Sequence, residues 1–483
     1  MKSKATRPRT FGELKASGYQ PRTIREEMRQ NLITRLETGQ PLFQGISGYE
    51  TTVLPKIENA VLAGHDIIFL GERGQGKTRI IRSLIHLLDE YIPIISGSEV
   101  ADSPFHPISH YGKEQLANQD DATPIDWVHR DDRYAEKLAT PDTTTAELIG
   151  EIDPIKVAEG RYLSDELTVH YGLIPRSNRG IFAINELPDL AEKVQVSLFN
   201  ILEERDIQIK GYKIRMPLDI LVVATANPED YTSRGRIITP LKDRYSSHIR
   251  THYPLERSTE IAIVAQESRT FERKDRTVIL PTFMEEIVAE TTFQARHSPE
   301  VNQVSGVSVR MSISNMESLV SNAEKRAIRN RESEIVPRIT DLVAIFATTD
   351  GKLELEYAGQ DKSQDQVIEK LVDKAVLDVF NEYLDADDLD AVVASFNDGW
   401  WVEVSETMSA AEYIKNFANL KGMRQAIAKL NIGESQGEMA AAIEFILEGL
   451  HLNNKLNREL LDGKIIYNEA HKIQPLGRNT EMV

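Results

Sequence analysis

The feature that most constrains the fold of this chain is a glycine-rich segment of eight residues, Gly71-Glu72-Arg73-Gly74-Gln75-Gly76-Lys77-Thr78. It follows the apolar run 67–70 and precedes a stretch in which apolar residues recur every three or four positions. This order predicts a buried strand, a phosphate-binding loop and an amphipathic helix. Glycines let a backbone wrap closely around an anion, and the helix N-terminus points N–H groups at it. The segment therefore predicts a nucleotide-binding α/β domain.

The chain has 483 residues, enough for several domains, because single hydrophobic cores seldom grow beyond about 250 residues. It contains no cysteine, which excludes disulfides, thiolate metal sites and cysteine nucleophiles. No uninterrupted apolar run approaches the roughly 20 residues that a membrane-spanning helix needs. We therefore expect no membrane insertion and a cytoplasmic protein.

The formal net charge is −18, and the acidic excess is concentrated toward the C-terminus. Residues 346–483 contain 25 acidic and 13 basic side chains, so they contribute −12 (13 − 25) of that charge. A negative surface repels phosphate backbones. We therefore expect no extended nucleic-acid binding, except through a basic pore inside an assembly.

Shifts in composition and apolar pattern predict four parts of the chain. Residues 1–40 form a charged helical extension, 41–250 an α/β nucleotide-binding core, 251–345 a helical segment, and 346–483 an acidic, mainly helical domain. Within the core, the apolar runs 181–184 and 220–224 predict two further buried strands. The polar residues 97–141 are interpreted as an insertion or a long loop.

Polar residues follow each of the three predicted core strands. Lys77 and Thr78 follow the first strand, Asn185 and Glu186 the second, and Asn227 the third. Open α/β sheets bind ligands at the carboxyl ends of their strands, so we expect these side chains to converge. Hydrolysis of a nucleoside triphosphate needs a phosphate cradle, Mg²⁺, an oriented water and positive charge. In this interpretation Lys77 and Thr78 serve the γ-phosphate and Mg²⁺, Glu186 polarises the water, and Asn227 orients it.

These motifs resemble those of AAA+ ATPases in the group that contains magnesium-chelatase subunit I and the MoxR proteins. Residues 179–186 match the second nucleotide motif of that group, 226–228 its first sensor, and 241–245 its arginine-finger segment. Its two inserted segments have counterparts at 148–175 and at 206–217, where alternating polar and apolar residues predict a hairpin. The resemblance covers roughly residues 41–345.

The resemblance implies an α/β fold: an AAA+ P-loop NTPase core with a parallel sheet flanked by helices. The helical segment 251–345 would be the lid of this core, and 346–483 an additional, mainly helical C-terminal domain. The implied ligands are ATP and Mg²⁺. The implied assembly is a ring of identical subunits, a hexamer.

The resemblance also assigns roles to single residues. Residues 71–78 would bind the nucleotide together with Arg310, which falls at the second-sensor position. Arg244 would complete the catalytic site of the next subunit, beside the catalytic Lys77, Glu186 and Asn227. Thr78 and Asn185 would hold Mg²⁺. The group usually has Asp where this chain has Asn185, and an amide brings no negative charge, so Mg²⁺ affinity or turnover is expected to fall.

The function that this resemblance favours is an ATP-hydrolysing ring that remodels or activates a partner protein. The implied partner is a von Willebrand factor A-domain protein, as for related ATPases. Asn185 leaves open a non-catalytic, ATP-dependent switch or scaffold. Lys210, Lys213 and Arg215 give the predicted hairpin positive charge, which leaves open a nucleic-acid motor.

Overall fold

The computed structural model of this chain describes residues 7–152, 169–208, 215–227, 235–269, 275–356, 363–417, 420–461 and 464–470. The chain divides into two compact units, with the boundary between His252 and Tyr253. Each unit has hydrophobic clusters of its own. Within the ranges given above, no helix is both long enough and apolar enough to cross a bilayer.

The first unit is built on a five-stranded sheet in which all paired strands are parallel. In chain order the strands are β1 (Ile67–Leu70), β2 (Tyr134–Leu138), β3 (Gly180–Asn185), β4 (Ile220–Ala226) and β5 (Ser247–Arg250). Their spatial order is β5-β1-β4-β3-β2. The three interior strands, β1, β3 and β4, are almost completely buried, as parallel strands covered on both faces are. These are the three strands that the apolar runs predict, and the prediction is confirmed.

Helices flank this sheet on both faces, because alternate residues of a strand point to opposite sides. One face packs against the helices Ile24–Thr38, Leu54–Leu62 and Lys77–Ser83. The other face packs against the helices Glu192–Ser197 and Phe199–Glu203. The other helices described in this unit are Phe11–Ala16, His110–Gln119, Thr145–Leu148, Leu173–Arg176 and Thr239–Arg244, with 3₁₀ turns at Leu84–Leu87, Asp120–Ala122, Arg130–Arg133 and Leu187–Asp189.

Antiparallel strand pairs accompany the central sheet. They are Tyr91–Ile95 with Ile125–His129, Gly150–Ile152 with Val169–Tyr171, and Asp206–Gln208 with Arg215–Pro217. The last two pairs lie at the ends of the two segments, 148–175 and 206–217, that resemble inserted segments in their sequence. The pairing of Ile207 with Met216 forms the base of the predicted hairpin. Its residues Lys210 and Lys213 lie outside the described residues.

The interpretation of residues 97–141 as an insertion or a long loop is wrong. The segment contains the helix His110–Gln119, the strand Ile125–His129 and β2, which is an edge strand of the central sheet. β2 has the sequence Tyr-Ala-Glu-Lys-Leu, with four half-buried positions and an exposed Leu138. An edge strand with an open side does not need a continuous apolar run. For this reason the polar composition conceals a strand that belongs to the core.

The N-terminal residues pack on the first unit. The helix Ile24–Thr38 buries Ile24, Met28 and Leu32 against it. On the same helix Glu27 forms a bidentate ion pair with Arg133, with both N–O distances at 2.7 Å. The two side chains are only 4% and 2% exposed. Some charged side chains of this segment are therefore buried. The pair attaches the helix to Arg133, which directly precedes β2.

The second unit is mainly helical around one large hydrophobic cluster, with a smaller cluster at Ala323, Ala327 and Ile335. Its described helices are Arg257–Glu267, Thr282–His297, Arg310–Asn330, Phe346–Asp350, Gln364–Tyr383, Asp390–Asn397, Ala410–Phe417, Met423–Lys429 and Gln436–Leu452, with 3₁₀ segments at Ile339–Ile345 and Ala386–Leu389. Phe283, from the predicted lid, stacks on Phe445, from the predicted C-terminal domain, with ring centroids 4.4 Å apart. The predicted boundary at residue 345 therefore falls inside a single hydrophobic core.

This unit also contains strands that the apolar pattern does not predict. Val402–Val404, Lys464–Glu469 and Leu456–Leu461 form an antiparallel sheet in that spatial order. Thr277–Val278 and Glu334–Ile335 form a short parallel pair. The C-terminal region is thus mainly helical, as predicted, with a small sheet added.

Candidate nucleotide-binding site

The predicted phosphate loop connects β1 to the helix Lys77–Ser83. Gly74 and Gly76 have φ values of 75° and 71°, in the left-handed region that residues with a Cβ rarely adopt. Gly71 is required for a different reason, since an added Cβ would lie 1.9 Å from Thr251 Oγ1. The conformation of the loop therefore depends on all three glycines.

Lys77 is the first residue of the helix, and its side chain folds back over the loop. It is only 7% exposed. Its Nζ donates hydrogen bonds to the carbonyl oxygens of Gly71 and Glu72, the latter at 2.9 Å, and to Asn227 Oδ1 at 2.6 Å. A buried ammonium group is costly unless oxygen atoms surround it. The loop thus holds a desolvated positive charge at the position where the sequence predicts a phosphate.

Asn227 connects Lys77 to Glu186. It follows β4, is 3% exposed, and donates from Nδ2 to Glu186 Oε2 at 2.7 Å. Glu186 follows β3 with a φ of 55°, and its backbone N–H donates to Thr225 Oγ1 at 3.0 Å. Positive φ is uncommon for a residue other than glycine, and such strained residues cluster at functional sites. The carboxyl ends of three neighbouring strands therefore bring together the lysine, the amide and the carboxylate, as the sequence predicts.

Asn185, the residue that stands where the AAA+ group usually has Asp, is 8% exposed. Its Nδ2 donates to Glu136 Oε1 at 2.5 Å, and its Oδ1 accepts from the Thr225 hydroxyl at 3.4 Å. Glu136 Oε2 accepts from Arg82 Nε and from the Tyr134 hydroxyl, each at 2.9 Å. Burial raises the pKa of Glu136, but hydrogen bonds from Arg82 and Tyr134 outweigh it and hold that pKa below its usual range. Sequence reasoning missed this carboxylate because it lies on β2.

The loop is supported from the side of β5. Gln75 Oε1 accepts hydrogen bonds from the Glu72 backbone N–H at 3.1 Å and from the Thr251 hydroxyl at 2.6 Å. The Tyr49 hydroxyl lies 2.8 Å from the Gln75 carbonyl oxygen and 2.6 Å from that of His252. Burial raises the pKa of Tyr49 to about 12, so its hydroxyl stays protonated at neutral pH. Gln75 therefore shapes the loop through its side chain as well as its backbone, a role that the motif does not indicate.

Arg244, the predicted arginine finger, ends the helix Thr239–Arg244. Its Nε and Nη2 lie 2.8 Å and 2.6 Å from Glu203 Oε2. Its guanidinium carbon lies 4.3 Å from the centroid of the Phe199 ring. The side chain is 26% exposed. Within one chain, Arg244 is thus held at the surface by a carboxylate and an aromatic face.

The remaining predicted ligand residues differ in exposure and position. Thr78 is half-buried in the first turn of the helix that follows it, and Arg73 is exposed. Arg310 begins the helix Arg310–Asn330 in the second unit, where it is exposed. The roles of Thr78 in Mg²⁺ binding and of Arg310 as a sensor stay predictions.

The positive charge of the predicted hairpin is reduced at its base. Arg215 Nε donates to Asp206 Oδ2 at 2.7 Å, across the strand pair. An ion pair of this kind offsets the charge that a nucleic-acid backbone would meet there. The described part of the hairpin therefore gives no support to the nucleic-acid motor.

The residues at this edge of the sheet fit a nucleoside triphosphate with Mg²⁺. Three glycines set the conformation of the loop, a buried ammonium group lies against it, and hydroxyl, amide and carboxylate oxygens lie at or near the strand ends. Fold and site together define an α/β protein with a P-loop type of nucleotide site, a parallel sheet flanked by helices and a mainly helical C-terminal region.

Comparison with known proteins finds similarity to AAA+ proteins. A family model described as AAA domain (dynein-related subfamily) matches residues 123–245, a range that contains Glu186, Asn227 and Arg244 but begins after the phosphate loop. Magnesium-chelatase subunit ChlI of Nostoc sp. is 26% identical over 258 residues, which cover 52% of this chain and 63% of that protein. The magnesium-chelatase 38 kDa subunit of Cereibacter sphaeroides is 24% identical over 233 residues, or 46% of this chain and 62% of that subunit. The chain thus spans less than two thirds of the length of these curated relatives.

Solved structures with similar chains include a cryo-EM-based complex between subunits BchI and BchD of magnesium chelatase. That chain is 17% identical with a TM-score of 0.34, and the match covers 68% of this chain and 98% of that chain. A putative ATPase from Cytophaga hutchinsonii is 16% identical with a TM-score of 0.27, and the match covers 74% of this chain and 97% of that chain. The family model and the curated relatives confirm the resemblance to AAA+ ATPases of the magnesium-chelatase subunit I group.

Proposed function

We propose that this chain binds ATP with Mg²⁺ at residues 71–78 and hydrolyses it. The observation that carries the proposal is the chain of hydrogen bonds from Lys77 through Asn227 to Glu186, beside the glycine-dependent loop. It sets a buried cation, an amide and a carboxylate next to one another at the carboxyl edge of a parallel sheet, where such folds bind ligands. Similarity to magnesium-chelatase subunit I supports the same class of reaction.

Each of these residues has a distinct part in the proposed reaction. Lys77 and the backbone N–H groups of the loop bind phosphate oxygens, and Thr78 and Asn185 would hold the metal. Bound Mg²⁺ would neutralise phosphate charge. Glu186 accepts a hydrogen bond from the attacking water, and Asn227 fixes the position of Glu186. The water oxygen replaces the ADP oxygen on the γ-phosphorus, so no covalent enzyme intermediate is required.

We also propose that turnover depends on assembly into a ring, as a hexamer. In this arrangement Arg244 leaves Glu203 and provides positive charge at the γ-phosphate held by the neighbouring chain. An arginine supplied in this way accelerates phosphoryl transfer by about 10³- to 10⁵-fold. The partial exposure of Arg244 and its contact with a surface carboxylate are compatible with such a move.

The ring would act on another protein, and we propose a von Willebrand factor A-domain protein as the partner class. The support is similarity to magnesium-chelatase subunit I. Adding a candidate partner is expected to change the rate of ATP hydrolysis and to produce a co-eluting complex. An unchanged rate and separate elution would count against that partner class.

Asn185 favours one alternative, an ATP-dependent switch or scaffold. With an amide where related proteins have a carboxylate, Mg²⁺ binding is weaker and hydrolysis slower or absent, while ATP still organises the assembly. Tight ATP binding without phosphate release by the wild-type oligomer would identify the switch.

Phosphate release by the purified oligomer with Mg²⁺ and ATP tests the proposed reaction. Lys77→Ala is expected to weaken nucleotide binding, and Glu186→Gln to keep binding but lower release by roughly 10²- to 10⁴-fold. Lys56→Ala is the matched control, because Lys56 is an exposed lysine on the helix Leu54–Leu62. Equal release by the wild type and Lys77→Ala would overturn the proposal.

A further inference from the structure

We propose that Glu136 is a positioning residue for the Mg²⁺ site, which orients Asn185 and supplies the negative charge that Asn185 lacks. The inference rests on the proposed function, because it takes residues 71–78 as the site of ATP and Mg²⁺. Glu136 lies on β2, the strand next to the one that ends in Asn185. It would thereby compensate for the amide at that position.

The first argument is the orientation of the Asn185 amide. Its NH₂ group donates to Glu136 Oε1 at 2.5 Å, while its oxygen faces the Thr225 hydroxyl on β4 at 3.4 Å. A carboxylate accepts hydrogen bonds and donates none, so Glu136 selects the NH₂ end of the amide. The reversed amide would place two oxygens against each other. Glu136 therefore turns the amide oxygen toward β4, whose end carries Asn227.

The second argument is the charge beside position 185. The Glu136 side chain is 20% exposed, so water screens its charge less than that of a surface carboxylate. Its Oε2 is bound by Arg82 and Tyr134, and its Oε1 by Asn185. Arg82 offsets part of this charge, but its side chain is 62% exposed, so water screens it more than the carboxylate, which keeps one oxygen at hydrogen-bond distance from Asn185.

The third argument is the connection to the helix that follows the loop. Thr78 and Arg82 are four residues apart on the helix Lys77–Ser83, so their side chains lie on one face, about 5–6 Å apart at Cβ. Arg82 Nε donates to Glu136 Oε2 at 2.9 Å. Glu136 therefore bridges the helix that carries Thr78 and the strand that carries Asn185, the two residues predicted to hold Mg²⁺.

The test measures Mg²⁺ affinity by direct binding, using the full chain and a fluorescent ATP analogue. For Glu136→Gln we expect unchanged analogue binding in EDTA and a Mg²⁺ affinity lower by about 10- to 100-fold, the usual effect of losing a residue that supports a metal ligand. Arg82→Gln is the matched control. It removes the cation paired with Glu136 but keeps the carboxylate and its bond to Asn185, so the charge beside the metal becomes more negative and no loss of Mg²⁺ affinity is expected.

A double variant that moves the carboxylate from position 136 to position 185 distinguishes this role from a purely structural one. In the double variant Glu136→Gln/Asn185→Asp the carboxylate stands at position 185 and the amide introduced on β2 can donate to it, so Mg²⁺ affinity is expected to return close to the wild-type value. This variant carries the test even where Glu136→Gln alone fails to fold. An unchanged Mg²⁺ affinity in Glu136→Gln, or a low affinity in the double variant, would overturn the inference. Failure of the proposed function is distinguishable, because the wild type would then bind the analogue no better than Lys77→Ala, even in EDTA.

Discussion

At the scale of the residue, the buried ammonium group of Lys77 decides what the loop can bind. It now donates to neutral oxygens of Gly71, Glu72 and Asn227. A phosphate oxygen carries negative charge, so it attracts the ammonium group more strongly than neutral carbonyl and amide oxygens do. Exchange of these partners for phosphate oxygens is therefore favourable, and it frees Asn227 Oδ1 beside Glu186.

Asn227→Ala removes the link between Lys77 and Glu186. We expect the catalytic rate to fall by roughly 10²- to 10³-fold, the usual loss when one fixed donor leaves a catalytic site. Nucleotide affinity should change much less, since the loop itself is intact. Asn59→Ala is the control, because Asn59 is exposed on the helix Leu54–Leu62. Steady-state kinetics and equilibrium binding would measure both effects, and a larger effect on affinity than on rate would contradict the prediction.

Arg244 is predicted to act on a neighbouring chain rather than on its own. Arg244→Ala should lower phosphate release by about 10³-fold or more without loss of ATP binding. Glu203→Gln removes the charge that pairs with Arg244 in the same chain, so it should leave phosphate release unchanged or raise it. Arg236→Ala is the comparison, because Arg236 is 74% exposed and belongs to the same segment. Similar release by Arg244→Ala and Arg236→Ala would argue against the arginine-finger role.

At the scale of the element, burial decides which parts of the molecule the sequence could predict. β1, β3 and β4 are interior strands, so their apolar runs are continuous, and Lys77, Glu186 and Asn227 could be located because they follow those strands. β2 and β5 are edge strands of mixed composition, and the polar pattern of β2 is typical of a loop. The sequence therefore does not predict that Glu136 on β2 contacts Asn185, or that Thr251 after β5 contacts the loop through Gln75. Such contacts join residues distant in sequence and leave no local pattern.

The helix Ile24–Thr38 is predicted to depend on its buried ion pair with Arg133. Glu27→Ala leaves the Arg133 guanidinium group buried without its carboxylate partner, which is expected to cost about 3–5 kcal/mol of unfolding free energy. Glu37→Ala, an exposed position on the same helix, should change stability by less than about 0.5 kcal/mol. Chemical denaturation of both variants measures the difference. Equal stabilities would show that the pair contributes little.

At the scale of the whole molecule, the candidate catalytic residues and their supports fall in the first unit, whereas Arg310 lies in the second. The second unit has a continuous core that includes Phe283 and Phe445. Within the second unit, the predicted lid and the acidic C-terminal helices therefore share one core.

A mixture of two inactive variants tests whether sites form between chains. Lys77→Ala lacks the phosphate ligand but keeps Arg244, and Arg244→Ala lacks the arginine but keeps Lys77. In a ring assembled at random from equal amounts of the two variants, about a quarter of the interfaces between subunits join an intact Lys77 to an intact Arg244. Phosphate release by the mixture should therefore exceed that of either variant alone. Release equal to the average of the two would contradict a shared site.

The most direct measurement is a structure of this protein with a non-hydrolysable ATP analogue and Mg²⁺. The account predicts phosphate oxygens within hydrogen-bond distance of the 71–78 backbone and of Lys77 Nζ, which releases the Gly71 and Glu72 carbonyl oxygens. An empty loop at saturating analogue, or an analogue bound elsewhere with Lys77 still folded onto its own loop, would contradict it.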